Sequence, residues 1–129
     1  MMELTMDGTV YQFHFGMGFM KEINKRATKT PNADMPEVKQ NIGLQLAVAG
    51  LLDGDVETLA DVLDVANKGQ KPRVTTEKLY RYIDDEDTDI DGLFESVLDF
   101  LKRGNATKKI TGAVMELVEK EREKAKKNA

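Results

Sequence analysis

The chain contains no cysteine and a single histidine, His14. The missing thiol excludes disulfides, thiolate metal sites and a cysteine nucleophile. The lone imidazole has no second histidine or sulfur to share a metal with, so it makes a poor ligand set on its own. No apolar run is long enough to span a bilayer, so no membrane partner is expected. At the N-terminus no basic region precedes an apolar one, so the expectation is a chain without a secretory signal, at work in the cytoplasm. Positive charge is also in deficit. Against 19 Lys and Arg stand 23 Asp and Glu, for a net charge of -4. No overall positive field draws phosphate, which argues against a general nucleic-acid binder.

What is present suits a soluble protein with a heavily solvated surface. Of the 129 residues, 40% are apolar and 33% charged, enough for one domain with a real hydrophobic core and no need of a covalent staple. The charge is unevenly spread. Asp84, Asp85, Glu86, Asp87, Asp89 and Asp91 crowd one stretch. Lys108, Lys109, Lys120, Arg122, Lys124, Lys126 and Lys127 load the C-terminal region, diluted by Glu116, Glu119, Glu121 and Glu123.

The strongest local signal is at the start. Met2–Met6 and Thr9–Phe15 flank Asp7-Gly8, the favoured two-residue type I′ turn, in which both central residues take positive φ. That turn sets Met6 opposite Thr9, Leu4 opposite Tyr11 and Met2 opposite Phe13. One face then carries Met2, Leu4, Met6, Tyr11, Phe13 and Phe15, the other Glu3, Thr5, Val10, Gln12 and His14. A lone hairpin is marginal in water, so helices must cover its apolar face.

The remainder reads as helices. Phe19 to about Thr28 forms a short one, ended by Pro31-Asn32-Ala33-Asp34. Pro36 suits the first turn of the next, which runs to about Leu52 and is apolar nearly all round in its second half, a pattern that belongs at the centre of a bundle. Gly43 and Gly50 weaken it slightly and leave room for close packing. Asp53-Gly54-Asp55 is a turn and cap before a helix with Val56, Leu59, Ala60, Leu63 and Ala66 on one stripe, stopped by Gly69 and Pro72. Thr75 or Thr76 caps a short helix through Leu79, Tyr80 and Ile83. Asp89 caps the next, striped by Ile90, Leu93, Phe94, Val97, Leu98 and Leu101 and stopped at Gly104. Thr107 is placed to cap the last, whose stripe is Ile110, Ala113, Val114, Leu117 and Val118. The expected fold is mainly α with an N-terminal β-hairpin, an α+β chain in which a compact bundle of about six helices packs on a two-stranded antiparallel hairpin. Residues 1–118 are expected to form a single globular domain and 119–129 a charged helical extension or frayed tail.

Four features could carry chemistry, and each has a plainer reading. Asp87-Thr88-Asp89-Ile90-Asp91-Gly92 resembles the start of an EF-hand loop, but Leu98 stands at the twelfth position, where a bidentate glutamate belongs. An acidic helix N-terminus accounts for the same residues. Gly16-Met17-Gly18 follows a strand and opens a helix, as a dinucleotide fingerprint would. Lys21 replaces the third glycine, however, and the strand belongs to a hairpin, so the glycines more simply turn the chain. A nucleophile–base–orienter set could be assembled from Ser96, His14 and an aspartate, but nothing in their spacing supports it. The basic C-terminal helix alternates signs at helical spacing, as in Glu116–Lys120 and Glu123–Lys127, and has no interleaved aromatics, so it reads as an exposed helix rather than a nucleic-acid arm. Of the seven methionines, Met17, Met20 and Met35 lie near loops and are the ones to test for exposure. No catalytic residue, metal site or cofactor is expected.

The order of the two ends is more specific than any of these motifs. An aromatic hairpin, Met2–Phe15, runs through Gly16-Met17-Gly18 into Phe19–Arg26. The chain closes on Leu93–Leu101, the link Asn105–Lys109 and a charged helix. In this it resembles the tail assembly chaperones of long-tailed, siphovirus-type phages and prophages of Gram-positive bacteria, over nearly its whole length and most strongly in Glu3–Arg26 and Leu93–Lys109. The resemblance implies a non-enzymatic assembly factor that coats the long helical tape measure protein, keeps it soluble and helps bring tail tube subunits to it. Such a factor acts in the bacterial host cytoplasm and is absent from the mature virion. In many relatives a ribosomal frameshift adds a C-terminal domain that recruits the major tail tube protein, and Lys126-Lys127-Asn128 is compatible with slippery codons. Self-association into an oligomer or filament is a further implication. A groove beside the last two helices, using Phe94, Leu98, Phe100, Leu101, Val114 and Leu117, is the candidate partner site, although any one of these also suits a core position. The competing expectation is another phage structural or joining protein, or a generic helical interaction module.

Overall fold

The computed structural model describes residues 1–29 and 40–127. β1 (Met2–Met6) and β2 (Thr9–Phe13) form the antiparallel hairpin in the expected register, with Met2 opposite Phe13 and Met6 opposite Thr9. Asp7 and Gly8 both take positive φ, 52° and 78°, as a type I′ turn demands. The strands bury Met2, Met6, Tyr11 and Phe13 and leave Val10 exposed. Just past β2, which ends at Phe13 and not Phe15, His14 stays exposed and Phe15 is buried.

Six helices follow among the described residues: α1 (Met17–Asn24), α2 (Gly43–Leu52), α3 (Val56–Asn67), α4 (Thr76–Asp84), α5 (Ile90–Arg103) and α6 (Lys108–Lys127). The architecture is thus the expected one, helices packed on an N-terminal hairpin. α2 is central, packing against α1, α3, α5 and α6, while α3 covers β2. Three N-caps fall where the sequence placed them. Asp55 accepts from the Glu57 amide at 3.1 Å, Thr75 from Lys78 at 3.1 Å and Asp89 from Gly92 at 3.0 Å.

The segment between α1 and α2 departs from expectation. α1 stops at Asn24 instead of continuing to Thr28, and residues Thr28–Lys29 (β3) pair antiparallel with Gln40–Asn41 (β4), so no helix runs unbroken from Pro36 to Leu52. Pro36, Met35 and the Pro31–Asp34 stop lie outside the described residues. The cause is a close helix crossing. A Cβ on Gly43 would collide with the Ile23 carbonyl and stand 2.8 Å from the Asn24 Cα. The Asn24 side chain accepts the Leu44 amide at 3.0 Å, and the Ile42 amide donates to the Ala27 carbonyl at 3.0 Å. The end of α1 therefore fixes the start of α2 by supplying acceptors to amides that a new helix leaves unpaired.

The α5–α6 corner also differs in detail. Thr107 does not cap α6. Its buried hydroxyl donates to the Leu101 carbonyl at 2.6 Å and so closes the end of α5. α6 is turned so that Thr107 and Thr111 are fully buried, with Ile110, Val114, Met115 and Val118 half-buried and Ala113 and Leu117 outside. The five-residue stripe spans more of the helix circumference than one contact can cover, and the small threonines give the closer approach.

A buried asparagine that periodicity did not reveal ties the hairpin to the helices. Asn67, at the end of α3, is wholly inaccessible. Its amide nitrogen donates to the Gln12 carbonyl at 2.9 Å and the Pro72 carbonyl at 3.4 Å. Its oxygen accepts the Val74 amide at 2.7 Å and the Arg73 guanidinium at 2.9 Å. One side chain thus joins β2, α3 and the loop leading to α4, with its hydrogen-bonding capacity filled.

Candidate partner-binding surface

The polar residues that could have carried chemistry are dispersed or already engaged. His14 lines a cleft with Phe19, Glu22 and Lys68, whereas Ser96 lines a different one with Met2, Leu4 and Leu93. The two are not brought together, so the nucleophile–base set has no geometric basis. In the acidic stretch, Asp89 caps α5 and Asp85 accepts the Asp87 amide at 3.0 Å, while Ile90, Asp91 and Gly92 are already helical. Those carboxylates act as turn and cap acceptors. Among the described residues no group of three or more His, Cys, Asp or Glu is placed to hold a metal ion, and no helix is long and apolar enough to cross a membrane.

Exposed ion pairs trim the helical surface: Glu116–Lys120 at 3.7 Å, Glu121–Lys124 at 3.8 Å and Arg103–Asp99 at 2.9 Å. Each is solvated and worth little on its own. Glu22 bridges α1 to the end of α3 through Lys68 at 3.6 Å, and also holds Lys25 at 3.4 Å. The Lys25 hydrogen bond and charge, followed by the Lys68 charge, hold its carboxyl below the usual glutamate range.

What remains is apolar surface. The six residues expected beside the last two helices do not form one groove. Leu101 is fully buried, facing inward with Leu93 and Val97. Phe100 turns toward the hairpin, its ring 6.0 Å from Phe15 and covered by the Arg103 guanidinium at 4.8 Å. It lines a cleft of about 510 Å³ with Met1, Met2, Leu4 and Leu93. Phe94 and Leu98, one turn apart on α5, and Val114 on α6 are half-buried against the core. Leu117 is 60% exposed. Four of the six, Phe94, Leu98, Val114 and Leu117, therefore offer accessible apolar area on the α5–α6 pair, Phe100 belongs to the hairpin side, and Leu101 is core.

Periodicity missed other exposed apolar residues: Leu46, Val56 and Tyr80 stand out in solvent. Of the methionines singled out near loops, Met17 is exposed and Met20 half-buried. Tyr80 was legible only in part: the short α4 is covered along one narrow stripe, with Leu79 buried and Tyr82 and Ile83 half-buried, and Tyr80 points about 100° away from Leu79. Val56 sits in the first turn of α3, before that helix is enclosed.

Comparison with families of known proteins gives a match over most of the chain: the family described as phage tail assembly chaperone protein, TAC, is matched by residues 3–116. Comparison with curated proteins and with solved structures returned no significant match.

Proposed function

Because this chain belongs to the phage tail assembly chaperone family, we propose that it binds the tape measure protein of a long-tailed phage or prophage of Gram-positive bacteria and keeps it soluble until the tail tube forms around it. The family match over residues 3–116 is the observation that carries this reading. The surface supports it. A tape measure protein is a long helix with an apolar seam, and such a seam aggregates unless covered. Phe94, Leu98, Val114 and Leu117 supply half-buried to exposed apolar contacts on two packed helices, the setting in which an amphipathic helix is read through anchors at i, i+3, i+4 and i+7. Weak sites repeated along one rod hold it through multivalency and yield one by one to the growing tube.

The chaperone is non-enzymatic in this account, acts in the host cytoplasm and leaves before the virion is complete. The major tail tube protein is its second partner, and self-association along the tape measure is a consequence of coating it. Residues 119–127 form a solvated helical arm of the single domain. Another phage joining protein would instead form a permanent stoichiometric complex. Co-expression with a tape measure fragment from the same genome, followed by sedimentation, separates the two. The chaperone reading expects a fragment that is insoluble alone to become soluble with several copies of this chain. A fragment that stays insoluble across a range of lengths contradicts it.

A further inference from the structure

The face between α3 and α4 carries a second docking surface, built from helices other than the α5–α6 pair. Val56 and Ala60 on α3 meet Tyr80 and Ile83 on α4 around a cleft of about 360 Å³. Ala60 is a buried floor, Ile83 is half-buried, and Val56 and Tyr80 stand 44% and 53% exposed. Every charged residue lining the cleft is acidic: Glu57, Asp61 and Asp84. Asp61 shares the Arg26 guanidinium at 3.5 Å yet keeps 60% of its side chain in solvent, while among the described residues Glu57 and Asp84 have no cationic partner. The acidic edge continues from Asp84 through Asp85, Glu86 and Asp87, all exposed.

We propose that this cleft binds a short basic amphipathic helix of a partner protein, with aliphatic side chains one turn apart seated between Val56 and Tyr80 and flanking Lys or Arg residues paired with Glu57, Asp61 and Asp84. The floor and the rim each restrict the occupant. The apolar floor with an exposed tyrosine is the kind of anchor site at which helices are read. The uniform sign of the rim repels acidic helices and selects basic ones. A second copy of this chain fits less well. Beyond Val118 its α6 has charges but no apolar residue larger than Ala125 to fill the floor. Around its exposed Leu117 stand Glu116, Lys120 and Glu121, and Lys120 is already paired with Glu116 at 3.7 Å, so that leucine brings no surplus of positive charge to the carboxylates.

The test uses the full chain with two labelled peptides of about 18 residues, long enough for helix formation. Both carry leucines at i and i+4 spacing, one with lysine and one with glutamate at the flanking positions. Fluorescence anisotropy gives the affinities, and amide shift changes give the location. The expected result is binding of the lysine peptide alone, weaker at high salt, with shifts centred on Val56, Ala60, Tyr80 and Ile83. Glu57→Lys with Asp84→Lys, and separately Tyr80→Ser, should each weaken it about tenfold or more. These are solvent-facing positions, and unchanged circular dichroism shows that the fold survives. Equal binding of both peptides, shifts centred on α5 and α6, or indifference to the substitutions overturns the proposal. Concentration-dependent self-association of the chain that the double charge reversal abolishes also overturns it, in favour of a second copy in the cleft. None of these outcomes depends on tape measure binding through the last two helices.

Discussion

Replacing Asn67 by alanine should destabilise this fold by more than any exposed contact could. The substitution removes the acceptor of the Val74 amide, which lies in the core, and the donor to the Gln12 and Pro72 carbonyls. Gln12 is half-exposed and its carbonyl regains water, whereas the Val74 amide stays buried without a partner. A buried unsatisfied group costs about 1–3 kcal/mol, and the lost bonds to Gln12 and Arg73 add about 1 kcal/mol. Alanine returns up to about 0.7 kcal/mol of helix propensity. The net expectation is about 2.5 kcal/mol. With about 2.1 cal/mol/K of unfolding entropy per residue over 129 residues, that lowers the midpoint by roughly 9 °C. Arg73→Ala is the control, because it removes the guanidinium bonds to Asn67 and Asp64 but leaves the Val74 amide satisfied, and should cost under about 1 kcal/mol. Thermal and urea unfolding followed by circular dichroism give both values. An Asn67→Ala protein within about 0.5 kcal/mol of the parent, or an Arg73→Ala protein equally damaged, would refute the view that this amide joins hairpin to helices.

Three more outcomes follow from the packing. Gly43→Ala should lose about 2 kcal/mol or more in urea unfolding despite alanine's better helix propensity, because its Cβ meets the backbone at Ile23 and Asn24, which cannot move without separating α1 from α2. Thr111→Val should raise stability by about 1 kcal/mol, since the buried Thr111 hydroxyl has no hydrogen-bond partner among the described residues and valine keeps its shape. Glu22→Gln should flatten the acid limb of the stability–pH curve. The Glu22 carboxyl is held below its ordinary value, so its contribution is fully present above the unfolded glutamate value near about 4.3 and lost as pH falls through the lower folded value, and the two curves should converge in acid.

The hairpin was readable from sequence because its period of two and its Asp-Gly turn leave one register that buries the aromatic side. The caps at Asp55, Thr75 and Asp89 were readable because they depend on residues within one turn. The end of α1 and the β3–β4 pairing were not, because a close approach between Gly43 and Ile23, distant in sequence, sets them. Asn67 looked like an ordinary residue near a helix stop, since nothing local shows that Gln12 and Val74 converge on it. At the candidate site, periodicity found the apolar residues of α5 and α6 but not their depth. It gave Leu101 and Leu117 the same standing, although packing buries the first and leaves the second in solvent.

The most direct test of tape measure binding through the last two helices is site-specific photo-crosslinking in the co-expressed complex. A photo-reactive side chain in place of Leu117 is compared with one in place of Met17, which is as exposed, at 60% and 62% respectively. The account predicts crosslinks from position 117 to the tape measure fragment and few from position 17. Equal yields from both positions, or none from 117 while the fragment remains soluble, would contradict it.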